Sequence, residues 1–316
     1  MDFRTIVDIR KGYFELSPEK PLMLLGSCFS DNIGNRLTSS MWDCAVNPCG
    51  VLYNPASIAI IVQRAIDNAL INDDEIIAID NRYISWLFDS HFASVEKVLA
   101  KQNMNNALSI TSNYLKNIAC LIVTFGTAWI YELTDNNQIV SNCHKYPAKN
   151  FNRRRMSVDE IVDLWIPLVK QLQSINPEIK IIFTVSPIRH FKDGAHENTL
   201  SKSTLMLAID RIIPQTQHTD YFPAYELVID ELRDYRFYAD DMLHPSQIAI
   251  DYIWQRFSEK YFSEQTIDIL KQGAKLSRRL RHRHITDDKH EIERFNSETD
   301  RLISEYIAAH PYLHRP

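Results

Sequence analysis

The sequence predicts an α/β fold built on a central parallel sheet, and three observations carry that expectation. Three short runs, 21–25 (PLMLL), 119–125 (ACLIVTF) and 180–185 (KIIFTV), are apolar without two-residue alternation, as strands covered on both faces are. Amphipathic helical patterns lie between them, and strands alternating with helices imply a parallel sheet. Glycine is scarce, with 7 in 316 residues, yet Gly26 and Gly126 each follow directly on an apolar run. Those are the places for strand-to-loop turns, where a side chain is least tolerated.

The elements follow in order. After the first strand, Ile33, Leu37 and Met41 recur at four-residue spacing, predicting a helix with Ser30 or Asp31 as its cap. Residues 56–70 form the next helix. Two stretches read as insertions or hairpins: 76–92, and 129–155, in which Asp135-Asn136-Asn137 suits a turn. A helix over 157–175 opens with Ser157-x-x-Glu160, the spacing of a capping box. Helical patterns at 198–213 and 246–262 complete the alternation, so an α/β domain is expected over 1–262. From 263 to 316 the chain is charged and helical, a basic block before an acidic one. That pattern suits solvated helices packed on or beside the domain, and makes them a candidate homo-oligomer contact.

Composition narrows the function. Hydrophobic residues at 45% and charged ones at 24% are those of a soluble globular protein. A formal net charge of −5 argues against a broad nucleic-acid surface. The first twenty residues hold no apolar signal core, and no run approaches the roughly 18 apolar residues of a membrane span. Five cysteines without a CxxC pair suit reduced thiols and a cytoplasmic location. Neither a P-loop nor GxGxxG occurs, so no nucleotide cofactor is expected. The Asn142-Cys143-His144-Lys145 cluster is a poor metal site, because adjacent Cys and His do not suit one tetrahedral ion. No metal and no other cofactor is expected.

Ligands on parallel sheets gather at the carboxyl ends of the strands, which nominates 26–29, 126–129 and 187–190 together. Ser27 and Cys28, both capable of nucleophilic attack, follow Gly26. A helix N-terminus lowers a thiol's pKa and offers N–H groups to an oxyanion. The plainer alternative is a capping serine and a small buried cysteine. In 240–245 (DDMLHP), Asp241 and His244 are three residues apart, so the carboxylate can orient the imidazole as a general base. Pro245 keeps residue 244 out of a helical path. An ordinary helix start with incidental Asp and His is the alternative there. Arg189 and His190 face the same end of the sheet, as contacts for a substrate carboxylate or phosphate or as partners within their own loop.

Together these stretches resemble the SGNH/GDSL hydrolases, and within them the GSCFA family. The matching segments are LLGSCFSDNIGNRL, NPCGVLYNPASI, TFGTAWIYE, NCHKYPAKNF, TVSPIRHFKDGAHENTLSKSTL and YFPAYELVIDELRDYRFYADDMLHPS, spanning about 22–255. The resemblance implies a three-layer flavodoxin-like fold carrying a C-terminal helical extension. It aligns Cys28 with the superfamily's nucleophilic serine, beside Asp241 and His244, and leaves Ser27 as alternate nucleophile or oxyanion donor. Gly50 matches the glycine that donates an oxyanion N–H. Ala128 stands where the superfamily has its oxyanion asparagine, a place that Thr127, Asn47 or Ser27 could fill instead. The implied function is hydrolysis or acyl transfer on an ester, thioester or acylated carbohydrate. The rival is a degenerate hydrolase fold kept as a binding or scaffolding module.

Overall fold

The first apolar run becomes β1 (Leu22–Gly26), buried throughout, in a computed structural model that describes residues 4–285 and 287–315. It leads directly into α1 (Cys28–Ser39), after which β2 (Cys44–Val46) returns along its edge. Next come α2 (Pro55–Asp67), the hairpin of β3 (Ile77–Ile79) and β4 (Arg82–Ile84), α3 (Lys97–Leu115) and β5 (Cys120–Phe125). A second, antiparallel sheet follows from β6 (Trp129–Leu133), β7 (Ile139–Val140) and β8 (Phe151–Arg155). The chain then runs through α4 (Val158–Ile175), β9 (Lys180–Val185), α5 (Gly194–Ile212) and β10 (Thr219–Phe222). It closes with the single turn α6 (Ala224–Glu226), then α7 (Gln247–Tyr261), α8 (Glu264–Leu280) and α9 (Lys289–Ala309).

The main sheet has the order β10-β9-β5-β1-β2, and every pair in it is parallel. Counted along the chain this is the flavodoxin-like order 2-1-3-4-5, whose switch point lies between β1 and β5. Side chains alternate across the sheet. Met23, Leu25, Leu121 and Val123 face the layer of α2 to α5, while Leu22, Leu24 and Ile122 face α1 and α7. Three layers result, with the sheet buried on both faces, which is why its strands read as unbroken apolar runs.

Local signals explain the boundaries, with one correction. The Ser157–Glu160 capping box forms in both directions at the start of α4. Asn137 takes the left-handed conformation (φ +58°) in the turn between β6 and β7. The cap of α1, however, is Ser27, whose Oγ accepts from the Phe29 N–H at 3.3 Å, and not Ser30 or Asp31. The helix starts three residues early because Gly26 completes the turn alone. Ser30 is left to donate to Thr124 Oγ1 at 2.9 Å, buried against β5.

The charged C-terminal helices pack on the α1 side. Met41 joins Ile269, Ile303, Tyr306 and Leu313 in a small apolar cluster, and Tyr306 Oη donates to the Ile269 carbonyl at 2.5 Å. Basic and acidic blocks meet where Arg279 pairs with Glu298 at 3.1 Å and covers the Phe295 ring at 4.5 Å. Helix α8 crosses the end of α1 so closely that a Cβ on Gly273 would run into the Ser40 carbonyl, only 2.9 Å from its carbon. Gly273→Ala will therefore cost about 1–3 kcal/mol, as overpacking typically does. The check is a thermal melt with limited proteolysis after residue 262; an unchanged melt and cleavage rate would refute the close crossing.

Candidate active site

The β1–α1 turn is held from three sides. Gly26 adopts φ +138°, and its N–H donates to Asn47 Oδ1 at 2.9 Å. Asn47 Nδ2 donates in turn to Asp31 Oδ1 at 2.7 Å, while the Leu52 N–H donates to the Gly26 carbonyl at 3.1 Å. Cys28 is thereby fixed as the first residue of α1, at the positive end of its dipole. The thiol nevertheless lies above its ordinary pKa. Burial is the largest cause and nearby Asp31 adds to it; the N–H groups of Cys28 and Phe29 and the Lys202 ammonium pull the other way. The expectation of a lowered thiol is corrected, because desolvation outweighs the helix terminus here. Burial therefore favours the protonated thiol at Cys28.

The 240–245 loop pairs a carboxylate with an imidazole. Asp241 Oδ1 accepts the N–H groups of Leu243 and His244, each at 2.9 Å, and Oδ2 meets His244 Nδ1 at 2.5 Å. These bonds, the two backbone ones foremost, hold the Asp241 carboxyl down at about 2. Met242 takes φ +59° to close the turn. Ser246 then caps α7, its Oγ accepting from the Ala249 N–H. With Nδ1 committed to a carboxylate, the favoured tautomer carries its proton there and leaves Nε2 as acceptor.

Ser27, Cys28, Thr127, Arg189, His190 and His244 line one cleft of about 490 Å³. It opens at the carboxyl ends of β1, β5 and β9, and the second sheet walls it with Trp129, Tyr131 and Arg153. Arg153 lies over the Trp129 ring at 4.1 Å and pairs with Asp193 at 2.6 Å. A larger groove of about 740 Å³ between α1, α7 and α8 holds none of the candidate residues. Among the described residues no three His, Cys, Asp or Glu side chains converge as a metal site requires. His144 is bonded at both ring nitrogens, to Ser90 Oγ and the Ser85 carbonyl, and ties the second sheet to the 85–92 segment. No helix among the described residues is long and apolar enough to cross a membrane.

The remaining nominees divide. Gly50 and Asn47 are not brought to the cleft: the Gly50 N–H is spent on the Asn47 carbonyl at 2.8 Å, and both ends of the Asn47 amide brace the β1–α1 turn. The Gly126 and Thr127 N–H groups are spent on the Tyr53 carbonyl, at 2.7 and 2.9 Å. Ala128 is buried, its N–H donating to Ser201 Oγ at 2.8 Å. Thr127 Oγ1 shares a hydrogen bond of 3.1 Å with that same Ser201 hydroxyl. Burial drives the His190 pKa down to about 4, keeping the ring neutral. Its Nε2, with Trp129 Nε1 and Ser141 Oγ, is buried without a protein partner, and all three residues line the cleft.

Sequence reading missed Lys202, which lies fully buried under the cleft floor on α5. A signal was there. Lys202 falls on the apolar stripe of its helix with Leu205 and Ile209, where a lysine has no solvent to reach.

No curated protein sequence matches the chain. A family 3 carbohydrate esterase of Clostridium thermocellum is similar in structure at 9% identity and a TM-score of 0.36, over 81% of this chain and 98% of that one. A family 3 carbohydrate esterase from Talaromyces cellulolyticus gives 10% identity and a TM-score of 0.35, over 80% and 98%. An acetyl xylan esterase from the rumen bacterium Butyrivibrio proteoclasticus gives 14% and 0.34, over 75% and 62%. In sequence, residues 21–257 match the GSCFA family.

Proposed function

The chain belongs to the GSCFA family, and we propose that it is a hydrolase or acyltransferase using Cys28 as nucleophile on an ester, thioester or acylated carbohydrate. One observation carries the reading: Cys28 and the Asp241-bound His244 line a single cleft at the switch point of a parallel sheet. His244 Nε2 takes the thiol proton, and the sulfur attacks the acyl carbon. The proton then passes to the departing alkoxide or thiolate as its bond breaks, leaving a thioester on Cys28. Water regenerates the thiol by hydrolysis; another hydroxyl or amine does so by acyl transfer. In this reading the Cys28 and Phe29 N–H groups at the sulfur and the Ser27 hydroxyl are the donors to the developing oxyanion. Arg189 and the unpartnered polar atoms of Trp129, Ser141 and His190 suit a polar substrate.

The second reading, a binding module without turnover, has one observation in its favour. The described hydrogen bonds of His244 run to Asp241 and Ala239, none to Cys28. Catalytic hydrogen bonds are often loose before substrate binds, so trapping decides the matter better than distance. On mixing with a p-nitrophenyl ester of a short acid, we expect a burst of nitrophenol and one acyl group mapped to Cys28 by mass spectrometry. Hydroxylamine at neutral pH should release it, as it does a thioester. An acyl group on Ser27 would reassign the attack. No adduct and no burst would leave the binding module.

A further inference from the structure

The basic block of the C-terminal extension stands apart from the Cys28 cleft, and part of it faces a cavity of its own. Helix α8 lines the groove of about 740 Å³ beside α1 and α7 with a face running from Ile267 and Leu270 through Ala274 to Ser277, Arg278 and Arg281. These positions recur every three or four residues, so they form one stripe that changes from apolar to cationic along the helix. With Lys271, and Arg36 from α1, the cations lining the groove number four, and no Asp or Glu among the described residues lines it. In a chain of net charge −5, that gathering of one sign runs against the composition. The four differ in their partners. Arg36 pairs with Asp251, and Lys271 lies 3.9 Å from the exposed Asp268. Arg278 donates to the Ala274 carbonyl at 3.4 Å within its own helix. Among the described residues neither Arg278 nor Arg281 has a carboxylate within salt-bridge distance, whereas Arg279 between them turns away to Glu298. Ser277 adds a second, independent sign. It is 2% exposed, and its Oγ, on the groove wall, has no protein hydrogen-bond partner. A buried hydroxyl is rarely left unbonded, and the groove is the side from which an acceptor can reach this one.

We propose that this groove binds the phosphate group of a phosphoester, with Arg278 and Arg281 as its charge partners and Ser277 as a hydrogen-bond donor. Helix ends do not supply the missing negative charge. The carboxyl ends of α1 and α8 reach the groove at Ser39 and Arg281, and the amino end of α7 at Gln247. Each end carries only about half a charge, and the last opposes the other two, so two arginines stay unbalanced. A tetrahedral dianion suits the set: guanidinium forks hold its oxygens in pairs, and the hydroxyl donates to another. Ile267 and Leu270 continue the groove beyond the cations and offer an apolar wall to the organic part of the ester. A soluble ester and a phospholipid headgroup present the same chemistry here. The site does not depend on Cys28 being a nucleophile.

The test has two arms on the full chain: calorimetric titration with phenyl phosphate, and flotation with phosphatidylcholine vesicles with or without phosphatidic acid. Saturable binding of phenyl phosphate marks the site of a soluble ester. Binding to the phosphatidic acid vesicles alone marks that of a headgroup. In whichever arm binds, Arg278→Gln with Arg281→Gln should weaken binding at least about tenfold at fixed ionic strength, the effect of a lost charge-assisted hydrogen bond. Arg279→Gln removes a charge from the same turn but from the Glu298 pair, and should leave binding unchanged. An equal loss in both variants would mean a diffuse basic surface. Binding that survives the double change would mean that the two arginines serve only the carboxyl end of α8. Either result overturns the proposal, as does the absence of binding in both arms. Should the double variant not fold, modification of wild-type protein by phenylglyoxal decides. The phosphate that binds should shield Arg278 and Arg281 but not the exposed Arg294 of α9, and equal modification with and without it overturns the site.

Discussion

Asp241→Asn will lower kcat/KM for a short acyl ester by about 10³–10⁴-fold while leaving the fold intact. The two parts of the expectation come from two oxygens of one carboxylate. Oδ1 accepts the N–H groups of Leu243 and His244, and an asparagine Oδ1 accepts them equally well, so the turn survives. Oδ2 holds His244 Nδ1, and there the asparagine offers an N–H instead. The ring must then carry its proton on Nε2 and accept at Nδ1, which removes the base from the cleft. With its carboxyl at about 2, Asp241 stays ionised across the working pH range, so the acid limb of a pH–rate profile is not its titration. Sign matters for stability as well. A depressed carboxyl contributes above its unfolded value and loses that contribution only as pH falls through the folded one, here in strong acid. The checks are steady-state kinetics and a thermal melt at pH 7. A loss of less than about tenfold in a protein that still acylates at Cys28 would show that Asp241 does not orient the base.

How far the sequence reached depends on what each element has to bury. β1, β5 and β9 were legible because both of their faces are covered, which leaves an apolar run no helix would tolerate so briefly. β2 and β10 were not. They are the edges of the sheet, three and four residues long, and TDYF in β10 carries Asp220 to meet Lys260 and Tyr261. Helix α3 was also missed. Its buried stripe includes Thr111 and Ser112 beside Ala100 and Met104, so little apolar contrast marks it. In the site, the two local constellations were readable since each is one turn of chain: Gly26 to Cys28, and Asp241 to His244. What failed was inference at a distance. Gly50 suits an N–H donor in sequence, yet its φ of +86° and closeness to Asp89 turn it away from the cleft. Lys202 of α5 ties the ends of β5 and β9 together, a relation that no spacing encodes.

Gly26→Ala will be the most damaging single methyl in the chain. Gly26 sits at φ +138°, a conformation strained for any L side chain, and that alone costs about 1–3 kcal/mol. The space is closed as well. A Cβ would run into the Thr124 carbonyl oxygen, with the carbonyl carbon and the Thr124 Cβ both at 2.9 Å. Relief by a flexible neighbour is denied, because Gly26 is paired in register with Thr124 in the middle of the parallel sheet. Its N–H is also tied to Asn47 and its carbonyl to Leu52. Either β1 separates from β5 at the switch point or the peptide rotates and releases Asn47, and both routes displace Cys28. We expect a loss of at least about 4 kcal/mol, at the severe end for a point substitution. Urea unfolding measures the stability, and Cys28 alkylation in the surviving folded fraction measures the site. An alanine variant as stable as wild type would mean that β1 does not leave the sheet through a glycine-only turn, and with it would go the placement of Cys28 at the head of α1.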